Sequence, residues 1–113
     1  MQTNKAAVDR AKKLIEDQQY ALDSDWSEAQ PSSDDENNFL EKYGWQTYGE
    51  WFLSEHPEHK ADTKGHYGFP YGDFRRVHRS GLVAAKQRAA QNDYTALEKE
   101  ADALLKLLDK QKE

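Results

Sequence analysis

The sequence predicts an all-α protein, a compact bundle of about five helices that ends in a long αα-hairpin, about 73–91 and 94–110. Apolar side chains recur at helical spacing in several segments, and no segment alternates polar and apolar residues cleanly, as a half-buried strand would. A short polar break separates the last two periodic runs, as in a helical hairpin. The length of 113 residues suits one domain, so we predict a single helical domain over 1–113.

The first half of the chain is predicted to hold two helices, and the first of them covers 4–20. One face of that segment collects small and apolar residues at helical spacing, namely Ala7, Val8, Ala11, Leu14 and Ile15. The polar, acidic stretch that follows contains a lone Trp26, which we expect to anchor a loop to the core. Pro31 and the serine-capped acidic run after it predict a helix over about 32–43, and Gly44 is a plausible C-cap.

A third helix is predicted over about 45–54, because Trp45, Tyr48 and Phe52 fall on one helical face. Pro57 and the polar residues after it indicate a loop. The glycine- and aromatic-rich run before Asp73 is interpreted as the approach to the first helix of the hairpin, with Asp73 as its cap. Alanines in that helix and leucines in the last one would pack along the seam between them.

Composition limits the classes of function. The chain has no cysteine, which excludes disulfides, thiolate chemistry and cysteine zinc sites. It has no segment resembling a signal peptide and no apolar run near the roughly 18 residues of a membrane span, so we predict a cytoplasmic protein with no membrane association. The net charge of −5 disfavours a general binder of nucleic acid or anionic membranes.

Residues 73–90 reverse that charge, with five cations against the single acid Asp73. Because guanidinium groups suit phosphate and carboxylate, this segment predicts a surface that contacts anions. The partner would be an acidic protein segment or a phosphorylated ligand. The competing interpretation is internal ion pairing with the chain's own acids, since structural ion-pair networks imitate sites. The predicted contact residues are the basic cluster and two flanking tyrosines: Arg75, Arg76, His78, Arg79, Tyr67 and Tyr71.

Two alternatives remain open, a nucleic-acid-binding protein of phage or stress-response origin and an enzyme with an unrecognised site near His78. The sequence gives the enzyme no positive support, because Ser80 lies in no nucleophile elbow and the glycines form no phosphate-binding loop. His56 and His59 bracket a proline and match no metal template. We therefore predict no catalytic residue, no metal and no cofactor, and a monomer or weak homodimer.

From about residue 22 the chain contains distinctive runs, namely DSDWSEAQPS, DTKGHYGFPYGDFRRVHRSGLVAAKQRAAQ and LEKEADALLKLLD. In these runs it resembles a family of small, stand-alone bacterial proteins of unknown function. Its plan of an aromatic-proline turn, a basic helix and a final helix is also similar to a phage-encoded domain of unknown function. The resemblance implies a compact bacterial cytoplasmic domain, and it implies no activity, cofactor or catalytic residue.

Overall fold

The computed structural model describes residues 1–112, and in them the protein is mixed α/β, so the all-α prediction is wrong. A short 3-10 helix, Lys64–His66, accompanies the longer elements. The helices are α1 Lys5–Glu16, α2 Trp26–Ala29, α3 Ser33–Gly49, α4 Arg79–Gln91 and α5 Thr95–Gln111. The strands are β1 Gln2–Thr3, β2 Tyr20–Ala21, β3 Phe52–Glu55, β4 Tyr67–Pro70 and β5 Val77–His78.

The strands form two small sheets. In the first, β3 lies between β1 and β4 and is antiparallel to both. The buried Asn4 amide supports this sheet by donating to the carbonyls of Gly49 and Phe52, at 2.9 and 3.0 Å. In the second, β2 and β5 are parallel, with Tyr20 opposite Val77. The second sheet therefore joins the segment after α1 to the residues that lead into α4.

The predicted helix over 45–54 is wrong beyond residue 49, where the chain turns and continues as β3. Aromatic spacing alone favoured the helix. Trp51, Phe52, Leu53 and Ser54 are all buried, at consecutive positions. A strand covered on both faces buries consecutive residues, which the apolar stripe of a surface helix does not do.

The first helix of the predicted hairpin begins at Arg79 and not at residue 73. Residues 73–76 form a turn in which Phe74 has a φ of 68°. The Asp73 carboxylate accepts the backbone N–H groups of Arg75 and Arg76, at 3.0 and 2.8 Å. Such local bonding gives the backbone an alternative to a helix, so the aspartate builds a turn where a helix cap was predicted.

Several local predictions are confirmed. Ser32 caps α3 in a reciprocal box with Asp35, at 3.1 and 3.0 Å, and Gly44 breaks the helix with a φ of 84°. The helix predicted over 94–110 is α5, which packs against α4 as the second arm of the hairpin. The first predicted helix ends early, because α1 stops at Glu16 and the chain turns into β2.

The core lies where α1, α5, α4 and the first sheet meet. No helix in residues 1–112 has both the length and the apolar composition needed to cross a membrane. The buried hydrophobic side chains combine helix leucines and alanines with aromatics from the sheet region: Leu14, Ile15, Tyr48, Trp51, Phe52, Leu53, Tyr71, Val77, Leu82, Leu97, Leu104 and Leu108.

Candidate functional site

Two of the five cations in residues 73–90, Arg79 and Lys86, form ion pairs with acids of α5 across the hairpin. Arg79 donates from both ends of its guanidinium fork to the Asp109 carboxylate, at 2.8 and 3.1 Å. Lys86 donates to Asp102 at 2.8 Å. The hydrogen bond from Arg79 lowers the pKa of the Asp109 carboxyl, and the bond from Lys86 does the same for Asp102. These two cations are therefore paired with the chain's own acids, as the internal-pairing interpretation expects.

Arg75 and Arg76 differ from Arg79 and Lys86 in their exposure and in their lack of an acidic partner. Both are exposed, and no carboxylate within residues 1–112 lies in salt-bridge range of either guanidinium. They stand on the turn that Asp73 organises, between Gly72 and Val77, which form an antiparallel bridge. A short bridged turn fixes the backbone beneath both side chains and projects them away from the core.

A groove of about 470 Å³ lies beside this turn, against α3. Phe39 of α3 stacks on Phe74 of the turn, with ring centroids 4.3 Å apart and planes at 13°. Tyr43 is 52% exposed, and the Lys42 ammonium lies 5.3 Å from the centroid of its ring. Arg75 lines the same groove. The remaining lining residues are polar or acidic: Asp35, Asn38 and Asp73.

The two acids of the groove already accept hydrogen bonds from this chain. Asp35 accepts the N-cap amide of α3, and Asp73 accepts two backbone amides and a histidine N–H. Lys42 and Arg75 make no salt bridge within residues 1–112. The groove thus contains two lining cations, Lys42 and Arg75, that have no partner of opposite charge in this part of the chain, while both aspartates stay ionised.

His78 is buried, and its ring joins two parts of the chain. Nε2 lies 2.8 Å from the Asp73 carboxylate, and Nδ1 lies 2.7 Å from the Ser24 hydroxyl. The Ser24 hydroxyl also lies 3.0 Å from that of Ser80. Trp26 packs beside the imidazole, with ring centroids 6.0 Å apart. The loop before α2 is thus bonded to the residues that begin α4.

Several neighbouring groups act on the Asp73 carboxyl and shift its pKa. Burial alone would raise the pKa of its carboxyl, but the bonds from His78 and the two backbone amides outweigh burial and lower it from 3.8. An acid with a depressed pKa in the folded state contributes stability above its unfolded pKa. That contribution is lost as the pH falls through the unfolded value and then the folded one.

We expect Asp73→Asn to be about 1 kcal/mol less stable than the wild type at pH 7, a modest value because solvent partly screens the carboxylate. The difference should shrink on acidification from about pH 5 to pH 2, as the wild-type carboxyl becomes protonated. Urea unfolding at several pH values measures it. Asp62→Asn, at an exposed position, serves as the control. If the difference in unfolding free energy between Asp73→Asn and the wild type stays constant with pH, the expectation is contradicted.

The two predicted tyrosines lie in the aromatic core. Tyr71 has no exposed surface, donates its hydroxyl to the Glu50 carbonyl at 2.8 Å, and has a pKa raised by burial. Tyr67 is partly buried, stacks beside Trp45 and donates to the Ala61 carbonyl at 3.2 Å. The structure therefore brings Arg75 and Arg76 together on one turn and places the other four predicted contact residues in internal interactions.

A second, smaller cleft of about 200 Å³ lies between the first sheet and the following loop, lined in part by Glu50, Glu55 and His66. The His66 ring has an oxygen acceptor at each nitrogen, the His59 carbonyl at 2.8 Å and the Glu55 carboxylate at 3.3 Å. Within residues 1–112 no group of three or more such side chains has the geometry to hold a metal ion.

The α3 side of the groove is not among the contact residues predicted from the sequence. The sequence nevertheless contains a pattern that points to it. Along α3, Phe39 follows Asp35 by four residues, and Lys42 and Tyr43 follow Phe39 by three and four, which places these side chains on one helix face. What the sequence could not show is that this face opens beside the 73–76 turn.

No family model matches the chain, and neither the curated proteins nor the solved structures include a match to it.

Proposed function

We propose that this protein is a binding module that takes an acidic peptide segment of a partner protein in the groove between α3 and the 73–76 turn. The observation that carries the proposal is the contrast among the cations. Arg79 and Lys86 are bonded to acids of α5, whereas Arg75 and Arg76 are exposed and have no carboxylate partner within the described residues.

Guanidinium groups held on a fixed turn suit carboxylates. Each guanidinium offers a planar fork of donors that two carboxylate oxygens can accept together. The turn is held by the Asp73 carboxylate and by the Gly72–Val77 bridge, so little backbone freedom is lost when a ligand binds. Of the two arginines Arg75 lines the groove, and Lys42 on the opposite side provides a second lining cation for an extended acidic segment.

The aromatic floor supports a peptide over an isolated anion. Phe39 and Phe74 form a stacked pair in the groove, and the Tyr43 ring is largely exposed beside them. An apolar side chain of a bound peptide could pack on these rings while its acidic neighbours meet the arginines. Aromatic residues and arginine are the types most enriched where protein surfaces bind one another.

The negative charge of the whole chain does not prevent such binding. At physiological salt the screening length is about 8 Å, so charges on distant helices act weakly at the groove. The nearest acids, Asp35 and Asp73, have oxygens that accept bonds from the chain itself. The two cations that line the groove, Lys42 and Arg75, make no ion pair within residues 1–112, so we expect an anionic ligand to meet these two.

The test is a titration of isotopically labelled protein with a synthetic peptide that alternates glutamates with leucine or phenylalanine. We expect chemical-shift changes at residues 39–43 and 73–76. Arg75→Glu should weaken binding by about tenfold or more, as expected for the loss of a charge-assisted hydrogen bond. Arg88→Glu is the matched control, because Arg88 is also exposed and the change in net charge is the same.

Equal weakening by the two variants, or no shift in either segment, would overturn the proposal. Parallel titrations with inorganic phosphate, phosphoserine and a short oligonucleotide separate the other ligand classes. Binding of the oligonucleotide with a steep fall in affinity on adding salt would support a nucleic-acid-binding protein in place of a peptide-binding one.

A further inference from the structure

We propose that Ser24 is an activated nucleophile, with His78 as its general base and Asp73 as the group that orients the histidine, and that it accepts acyl groups from small carboxylic esters. The proposal does not depend on the peptide groove. It rests on the continuous contact from the Ser24 hydroxyl to His78 Nδ1, at 2.7 Å, and from His78 Nε2 to the Asp73 carboxylate, at 2.8 Å.

The chemistry of the three groups fixes the direction of these hydrogen bonds. An ionised carboxylate only accepts, so His78 Nε2 carries a proton and donates it to Asp73. In the neutral imidazole Nδ1 is then unprotonated and can only accept. The Ser24 hydroxyl must donate to it, which directs the serine proton toward the nitrogen that would act as the general base.

The carboxylate is held firmly enough to orient the ring. One oxygen of Asp73 accepts the backbone amides of Arg75 and Arg76, and the other accepts His78 Nε2. These bonds favour the ionised carboxylate, which would stabilise the imidazolium formed when His78 takes the serine proton. The ring nitrogens have the opposite assignment to that in trypsin-like enzymes, where Nε2 faces the serine. Nδ1 is an equally competent base, because either imidazole nitrogen can hold the proton.

The surroundings of Ser24 define the class of substrate. His78 is only 5% exposed, while Ser24 and Ser80 are partly exposed, so a reagent approaches from the serine side. The segment around Ser24 combines the exposed Leu22 and the partly exposed Trp26 with two exposed acids, Asp23 and Asp25. The two aspartates repel anionic substrates, so an uncharged ester suits this position better than an anionic one.

The start of α4 lies next to the reacting oxygen. Ser80, whose hydroxyl is 3.0 Å from that of Ser24, is the second residue of the helix. No side chain within residues 1–112 caps this terminus. Its first N–H groups and the positive end of the helix dipole favour negative charge nearby, which would assist the oxyanion that forms on the ester's carbonyl oxygen when Ser24 attacks.

The reaction balances with an ester and water alone. Ser24 Oγ forms a bond to the acyl carbon as its proton passes to His78 Nδ1. The bond from the acyl carbon to the alkoxy oxygen then breaks, and the departing alcohol takes the proton from the imidazolium. Water attacks the acyl-serine in the second half, with His78 accepting its proton, and the carboxylic acid leaves as Ser24 regains its hydrogen.

The test is acetylation by p-nitrophenyl acetate, followed by peptide mass spectrometry and by release of p-nitrophenol. Ser27 is an internal control, since its hydroxyl donates at 2.7 Å to a carboxylate, Asp25, and to no imidazole. We expect Ser24 to be acetylated at least about a hundredfold faster than Ser27, in line with general-base assistance.

Substitutions separate an activated serine from one that is merely exposed. His78→Gln and Asp73→Asn should each slow acetylation of Ser24 by about tenfold or more, while Ser27→Ala should leave it unchanged. Circular dichroism establishes that each variant is folded, and Asp73→Asn serves if His78→Gln is not. Acetylation of Ser24 at the rate of Ser27, or a rate that neither substitution lowers in folded protein, overturns the proposal.

Discussion

Replacing Gly72 with alanine is expected to destabilise the protein by about 3 kcal/mol. A Cβ at this position would lie 2.5 Å from the Arg76 carbonyl oxygen and 2.8 Å from the Trp51 ring. Neither neighbour can move cheaply. The carbonyl closes the 73–76 turn by accepting from the Asp73 amide at 3.2 Å, and the Trp51 ring stacks on Tyr71 in the core.

Urea unfolding followed by tryptophan fluorescence measures this effect, and Gly65→Ala is the matched control. A Cβ at Gly65 would meet only the His59 ring, at 3.6 Å, which is an ordinary contact. That substitution should change the free energy of unfolding by no more than about 0.5 kcal/mol. Similar effects at the two glycines would show that the turn yields more readily than its contacts indicate.

In a separate variant, His78→Ala is expected to lower the free energy of unfolding by about 3 kcal/mol. The substitution leaves a cavity beside Trp26 and removes the bonds to Ser24 and Asp73. The loop before α2 would lose its link to the start of α4. Amide hydrogen exchange should therefore speed up over residues 22–26 by more than it does in α5.

His59→Ala is the control for this prediction, because the His59 side chain is exposed and its backbone carbonyl, which binds His66, is unaffected. Its effect should stay within about 0.5 kcal/mol. An equally mild effect at His78, or faster exchange spread evenly over the molecule, would mean that the imidazole does not hold the loop in place.

Features set by neighbouring residues could be predicted from the sequence. The capping box of Ser32 and Asp35, the helix break at Gly44 and the helix after residue 93 all follow from residues within a few positions of one another. Capping and helical periodicity are local effects, so one sequence contains the information they need.

The strands could not be predicted, because the longest has four residues and three have two. Strand periodicity needs about four to eight residues to be recognised. Tyr20–Ala21 is a strand only because Val77–His78 lies beside it, 57 positions later for both register pairs. A pairing at that separation leaves no mark in either local sequence.

The candidate site divides in the same way. The basic segment and its cations were visible in the sequence, but the difference between Arg79 and Arg75 was not. Arg79 reaches Asp109, thirty positions away, only because the helical hairpin aligns them. The Ser24–His78–Asp73 contact was also beyond the sequence, since it needs the parallel pairing of β2 and β5 to bring residue 24 to residue 78.

The packing of α1 against α5 has a consequence for how the chain folds during synthesis. The first helix buries Ala7, Ala11 and Ile15 completely, and α5 supplies much of the surface that covers this face. β1 likewise can pair only after β3, some fifty positions later in the chain, has been synthesised. As the chain leaves the ribosome, the part of the α1 face that α5 covers therefore stays exposed until α5 has emerged, and during that interval it can meet non-native partners.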